Sequence, residues 1–200
     1  MRKTLDNLIS WTGLILAVVL LVAGGLMTYA SSFVADNVEQ QLSQQDITMP
    51  AQAAIAKMSA EDQAALKPWA DGKTKMTTGD QAKAFADHYI LVHMNTASEN
   101  RTYEEVSGEF MKMSKDPAAN QDEVKALGEL RQTLFMGNTL RGLLLNAYAF
   151  GTMGAIAGIA AIGAYIAAAV LLVLALLGFR HAKNVNEAQA TVAARETARV

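Results

Sequence analysis

Three histidines, His88, His93 and His181, are the side chains in this chain best suited to acid–base or metal chemistry near neutral pH. On a helix His88 and His93 stand five residues apart, about 140° around the axis, so they diverge where an i, i+4 zinc pair would converge. A metal site would need one of them beside a carboxylate such as Asp80 or Asp87. His93 falls on the same apolar helix face as Phe85 and Tyr89, and its simpler reading is a hydrogen-bonded core histidine. The chain contains no cysteine, which removes disulfides, thiolate metal sites and thiol nucleophiles. No G-x-S-x-G nucleophile elbow is present. Thr77-Thr78-Gly79-Asp80 lacks the rest of a phosphate loop, and the acids Glu104, Glu105 and Glu109 lack the alternating ligands and central glycine of a calcium loop. The expectation is therefore a protein that is not an enzyme, with no catalytic or metal residues and no cofactor.

The elements that carry these residues follow from the distribution of charge. Hydrophobic residues make up 52% of the 200 positions and charged residues 18%, fewer than the roughly 25% charged of soluble chains. The net charge of −2 gives no general attraction to nucleic acid. Between Asp6 and Asp36 lie 29 uncharged residues, and between Arg141 and Arg180 another 38. About 20 apolar residues in helix cross a bilayer core. The first gap predicts a transmembrane helix over 8–30, with Trp11 and Tyr29 near its ends. The second predicts one over 147–179, which is longer than a single span needs and so tilts or continues as helix beyond the outer interface.

Arg2 and Lys3 precede the first span, and Arg180, Lys183, Arg195 and Arg199 follow the second. By the positive-inside rule the N-terminus (1–7) and the tail (180–200) are cytoplasmic, and residues 31–146 lie outside a bacterial plasma membrane. That central segment holds 16 acids and 11 bases. The first span reads as an uncleaved anchor, because a signal peptide has a shorter apolar core of about 7–15 residues. Thr28-Tyr29-Ala30 is the competing cleavage site.

The central segment reads as helical. Asp36–Gln45 continues the first helix as a polar extension until Asp46–Pro50 breaks it. Ser59–Asp62 and Thr102–Glu105 have the form of capping boxes. Residues 67–78 read as a loop. From Gly79 to Met94, Ala82, Phe85, Ala86, Tyr89, Ile90 and His93 recur at helical spacing, and a loop over 95–101 follows. Tyr103, Val106, Phe110 and Met113 line one side of the next helix. A further helical stretch starts at Asp116-Pro117 and carries Val124, Leu127, Leu130 and Leu134, and Gly137-Asn138 is expected to loosen it before the second span. The fold class is an all-α membrane protein, two transmembrane helices flanking a small helical extracytoplasmic domain. A cap pocket formed by Phe85, Tyr89, His93 and Phe110 is the candidate ligand site.

Neither span contains a charge, which argues against an ion path. The second carries Gly151, Gly154, Gly158 and Gly163, and Gly154–Gly158 matches G-x-x-x-G, a spacing that lets helix backbones approach. Its partner is the first helix, a second copy of the chain or another membrane subunit.

Several short motifs together, Val38-Glu39-Gln40-Gln41-Leu42, Asp46-Ile47-Thr48-Met49-Pro50, Gly79 through Asp87 with Tyr89-Ile90 and His93, and Thr102-Tyr103, resemble a family of small actinobacterial two-span membrane proteins of unknown function. The resemblance covers about residues 8–180. Members often carry the label aromatic ring-opening dioxygenase. Extradiol cleavage uses non-haem iron held by two histidines and a carboxylate, and the residues here do not supply that set. The expected role is a structural or accessory subunit of an envelope or respiratory membrane assembly, embedded in the lipid bilayer. The alternative is an extracytoplasmic binding or sensor module for an apolar ligand or lipid.

Overall fold

The computed structural model describes residues 2–197. Met1 and residues 198–200, among them the flanking base Arg199, lie outside the described residues, as do the side chains of Arg2, Lys3 and Arg195. The protein is all-α, with two long apolar helices flanking a small helical region. The first long helix, α1, is Arg2–Gln44, and the last, α7, is Gln121–Thr197. Between them lie α2 (Gln52–Ile55), α3 (Ala60–Leu66), α4 (Gly79–Phe85), α5 (Leu91–Ser98) and α6 (Tyr103–Met113). A 3₁₀ turn, Lys67–Trp69, follows α3, and a π turn, Ala86–Ile90, joins α4 to α5 without a break.

Two compact units divide the chain: Met1–Phe33 with Gly154–Val200, and Val34–Met153. The first is an antiparallel helical hairpin. Trp11 meets Phe179 edge to face at 5.7 Å, and the Thr28 hydroxyl lies 3.1 Å from that of Tyr165. Small residues make the approach possible, and they recur every seven positions. Ser10, Ala17 and Gly24 are buried in α1, facing buried Gly154, Ala161, Ala168, Ala175 and Ala182 in α7. A strict period of seven keeps one seam facing its partner along two supercoiled helices. The outward positions are large and exposed: Ile15, Val19, Val22 and Leu26 on one helix, and Ile159, Ile166, Val173 and Leu177 on the other.

In the second unit α1 ends where Asp46 takes a left-handed conformation (φ 51°), which aspartate tolerates better than most residues. The segments on either side of α2 and α3 then pair with each other. Thr48 bridges Lys75 and Ala51 bridges Asp71, both antiparallel, with Met49 N–H to Thr74 C=O at 2.8 Å and Met76 N–H to Ile47 C=O at 2.9 Å. This clip is not expected from the loop reading of 67–78. It seats Met49 and Met76 in the main core, with Val38, Leu42, Ile55, Leu66, Ala82, Ala86 and Leu144. A second cluster, Met94, Val106 and Leu134, is packed by Ile90, Tyr103, Leu127 and Leu130.

Three local expectations change. The helix over 79–94 continues to Ser98, where Glu99 and Asn100 both take positive φ and turn the chain. The stretch after Asp116-Pro117 is a turn, and α7 begins at Gln121 with the Asn120 side chain accepting the Asp122 N–H at 3.0 Å. Gly137-Asn138 does not loosen α7, which runs through it unbroken. A Cβ at Gly137 would strike the Met94 thioether, so the glycine serves close packing. The surplus length of the second apolar stretch also has a use. Ala147 packs on the main core, and Gly79, the first residue of α4, rests against the α7 backbone at Ala147–Tyr148.

Candidate functional site

The π turn Ala86–Ile90 is the one irregularity in the helix that runs from Gly79 to Ser98, and π turns inside α-helices are frequent at functional sites. It presents two neighbouring ionisable side chains to two different elements. Asp87 receives Lys83 Nζ at 2.6 Å, one turn earlier, and Arg141 Nη2 from α7 at 2.9 Å. His88 Nδ1 lies 2.9 Å from Asp62 Oδ1 on α3. Lys83 Nζ also sits 5.4 Å from the centre of the Tyr148 ring, within cation–π range.

Burial opposes ionisation of Asp87, but the hydrogen bonds and charges of Lys83 and Arg141 outweigh it and hold the carboxyl below its usual range. The same contact raises Lys83. The Ser59 hydroxyl, working against desolvation and joined by His88, holds Asp62 low. This is a charge-satisfied joint: Asp87 ties the π turn to α7, and His88 ties it to α3. Arg141 Nε is buried there without a hydrogen-bond partner.

Beneath the joint, Thr78 caps α4. Its hydroxyl accepts the Gln81 N–H at 3.3 Å, and the Gln81 side-chain oxygen accepts from the Thr77 N–H at 2.7 Å and the Thr78 N–H at 3.1 Å. The segment considered as part of a phosphate loop is thus a complete capping box with a buried glutamine. The Thr102–Glu105 box is present as read, with Glu105 held low by the Thr102 backbone N–H. At Ser59 the hydroxyl accepts from the Asp62 N–H. On the clip, Asp71 accepts from the Lys73 and Thr74 N–H groups and the Thr74 hydroxyl, which lower its carboxyl to about 2.

Of the four cap-pocket residues, three form a ladder one turn apart. The rings of Phe85 and Tyr89 stack at 4.8 Å, and those of Tyr89 and His93 lie 4.4 Å apart. Phe85 and Tyr89 are half-buried on the main core. Phe110 is elsewhere, its ring against Gly128 and 5.4 Å below the Arg131 guanidinium. His93 is exposed and not a core residue, because its place on the face lies beyond the core cluster. Its Nδ1 is 2.7 Å from the Tyr89 carbonyl oxygen.

His88 and His93 point to different partners, as their spacing implied. Among the described residues no three His, Asp or Glu side chains gather as a metal-ligand set. His181 edges a separate groove of about 360 Å³ in the hairpin unit, with Asp6, Ser10, Gly13, Leu171 and Gly178. The four glycines of the second apolar stretch have different neighbours. Gly158 faces Ser31, Gly154 is buried, Gly151 faces Gly79, and a Cβ at Gly163 would meet nothing within 4 Å.

Asp62, Lys83 and Arg141 were not candidates from the sequence. The i, i+4 spacing of Lys83 and Asp87 was the available signal for one pair. Arg141, the last charge before a 38-residue uncharged run, had none. The class of molecule these features define is an all-α protein with two long apolar helices and a small helical unit between them. Comparison with protein-family models, with curated proteins and with solved structures finds no match to this chain.

Proposed function

We propose that this chain is a non-enzymatic two-span membrane protein, a structural or accessory subunit of an envelope or respiratory assembly. In this reading the hairpin unit is embedded in the bilayer of a bacterial plasma membrane, both termini are cytoplasmic, and the helical unit is extracytoplasmic. The observation that carries the reading is the inverted packing of the hairpin. The buried positions of its seam are glycine, alanine and serine, with Tyr165 laid over Gly24 and Trp11 on Phe179, while its large aliphatic side chains face outward. A soluble helix pair buries its large residues and exposes polar ones. Lipid removes that preference and leaves close backbone packing as the source of association. Flanking bases Arg180 and Lys183 support the orientation.

The polar residues of the helical unit support a scaffold role. Asp62, Lys83, Asp87, His88 and Arg141 hold helices to one another, and the Phe85–Tyr89–His93 ladder leans on the core. The dioxygenase label attached to the family that the sequence resembles gains no support from His88 and His93, which engage Asp62 and a backbone carbonyl. Reciprocal affinity purification in mild detergent with mass spectrometry tests the reading. The same membrane subunits should return in fixed stoichiometry from tags on either side. Recovery of this chain with no other subunit overturns the assembly role, and stoichiometric iron with catechol turnover overturns the non-enzymatic one.

A further inference from the structure

We propose that the groove at the His181 end of the hairpin unit is a binding site for one phospholipid with a primary-amine headgroup, taken from the inner leaflet. The proposal rests on the membrane reading above, which puts this end of both long helices at the cytoplasmic interface. The groove holds about 360 Å³, inside the roughly 300–1,000 Å³ range of small-ligand sites. Gly13, Ala175 and Gly178 line it with nothing larger than a methyl group, which is why the space exists. Ile9, Leu171, Leu174 and Leu177 supply the rest of its apolar lining. Ile9, Leu174 and Leu177 are each more than half exposed, so the groove opens sideways into the bilayer.

Polarity is confined to one end. Asp6 and His181 stand there, and neither side chain has a hydrogen bond or ion pair among the described residues. The Ser10 hydroxyl donates to the Asp6 carbonyl oxygen at 2.8 Å, so its proton is already used. The lining runs from Asp6 to Gly13 and from His181 to Leu171, about 10 and 15 Å of helix at roughly 1.5 Å per residue. That approaches the depth of one leaflet, half of the roughly 30 Å of bilayer hydrocarbon. The shape suits a polar head carried on an apolar chain. A neighbouring helix is too large, since 15 Å of helix about 10 Å across fills on the order of 1,000 Å³. A single hydrocarbon chain fits. Charge selects the head. The Asp6 carboxylate complements a cationic donor, and His181, flanked in sequence by Arg180 and Lys183, complements an anion. A phosphoethanolamine head carries both: its ammonium donates to Asp6, and its phosphate accepts from the His181 N–H beside the two bases. A choline head has no N–H to donate, and a phosphoglycerol head sets no positive charge against Asp6.

The full chain, purified in mild detergent, is mixed with equal amounts of dioleoyl phosphatidylethanolamine, phosphatidylcholine and phosphatidylglycerol, and bound lipid is counted by native mass spectrometry. One phosphatidylethanolamine should be retained per chain, at least ~5-fold over either competitor, the discrimination expected of one charge-assisted hydrogen bond. Asp6→Asn should remove the preference. Asp36→Asn, the same change at an exposed acid toward the other end of α1, should keep it. A Cβ at Gly13 would make ordinary contact with Ala175 Cβ at 3.7 Å, so Gly13→Leu carries a side chain into the groove and should lower retention of all three lipids. Equal retention of the three lipids, preference for another head, or a preference that survives Asp6→Asn overturns the site. Alkaline extraction of native membranes reports on insertion separately. A chain kept in the pellet that shows no phosphatidylethanolamine preference refutes the site and leaves the membrane reading standing. Release into the supernatant refutes both.

Discussion

Replacing Gly79 by alanine would test the contact on which the helical unit is built. A Cβ at this position would lie 2.9 Å from Tyr148 Cα and 3.1 Å from the Ala147 carbonyl oxygen. Both atoms are helix backbone, so neither can swing aside as a side-chain tip would. Overpacking of this kind costs about 1–3 kcal/mol. Alanine returns a few tenths to about 1 kcal/mol through its helix propensity. The expected net loss is about 1–2 kcal/mol, or a fall of about 4–8 °C in the melting temperature of a unit of this size. Gly108→Ala is the matched control: it lies inside α6, and a Cβ there would meet nothing within 4 Å. It should stabilise by about 0.5–1 kcal/mol. The assay is Trp69 fluorescence during thermal unfolding in detergent, since Trp69 packs on the main core. The background is Trp11→Phe, which removes the other of the two tryptophans. Gly79→Ala melting at or above its parent would show that α4 does not rest on the α7 backbone, and the account of this joint would fall.

Asp87→Asn should destabilise the helical unit by about 1–3 kcal/mol by leaving a half-buried Arg141 without its counter-charge, measured as the shift in the same melt. Because the Asp87 carboxyl is held below its usual 3.8, its stabilisation is complete above that value and is lost as pH falls through the lowered one. Acid unfolding followed by Trp69 should therefore steepen below about pH 4 and be shallower in Asp87→Asn. Gln81→Ala strands the Thr77 and Thr78 N–H groups and should cost about 1–3 kcal/mol, while Asp80→Ala, exposed beside it, should change stability by less than about 0.5 kcal/mol in parallel melts. Ala168→Leu places a large side chain in the hairpin seam and should destabilise by about 1–3 kcal/mol, whereas Ile166→Leu on the outer face should be neutral, both read as resistance of the hairpin to proteolysis in detergent.

How far the sequence discloses this protein depends on whether the deciding interaction is local. The two apolar helices show as charge gaps, and the Thr102–Glu105 cap shows because its partners are three residues apart. The clip between 46–51 and 71–76 does not show, since it consists of two isolated bridges inside turn-rich segments whose partners are 20 and 27 residues apart. Threonine followed three residues later by glutamine is a helix-start signal, so the Thr78–Gln81 cap is legible in the sequence although the same residues also resemble part of a phosphate loop. The glycines serve two kinds of close approach. Gly137 accommodates Met94, and in the G-x-x-x-G pair Gly154 belongs to the seam of period seven while Gly158 faces Ser31 of the first helix. The Asp87–Arg141 contact spans 54 positions and has no local trace at all.

The π turn also constrains how the length of this chain can vary. It contains one residue more than an α-helix needs there, and that extra residue gives α4 and α5 independent rotational phase. Ahead of it, Ala82 and Ala84 address the main core; after it, Met94 addresses Val106 and Leu134. Deleting one residue from 86–90 would relax the backbone locally into ordinary helix, yet it would turn everything from Leu91 to Ser98 by about 100°. Met94 would leave Gly137, and buried Ser98 would leave the Arg101 carbonyl it binds. Descendants of this sequence can therefore gain or lose residues in the turn after Met113 far more readily than in the five residues that look most like a defect.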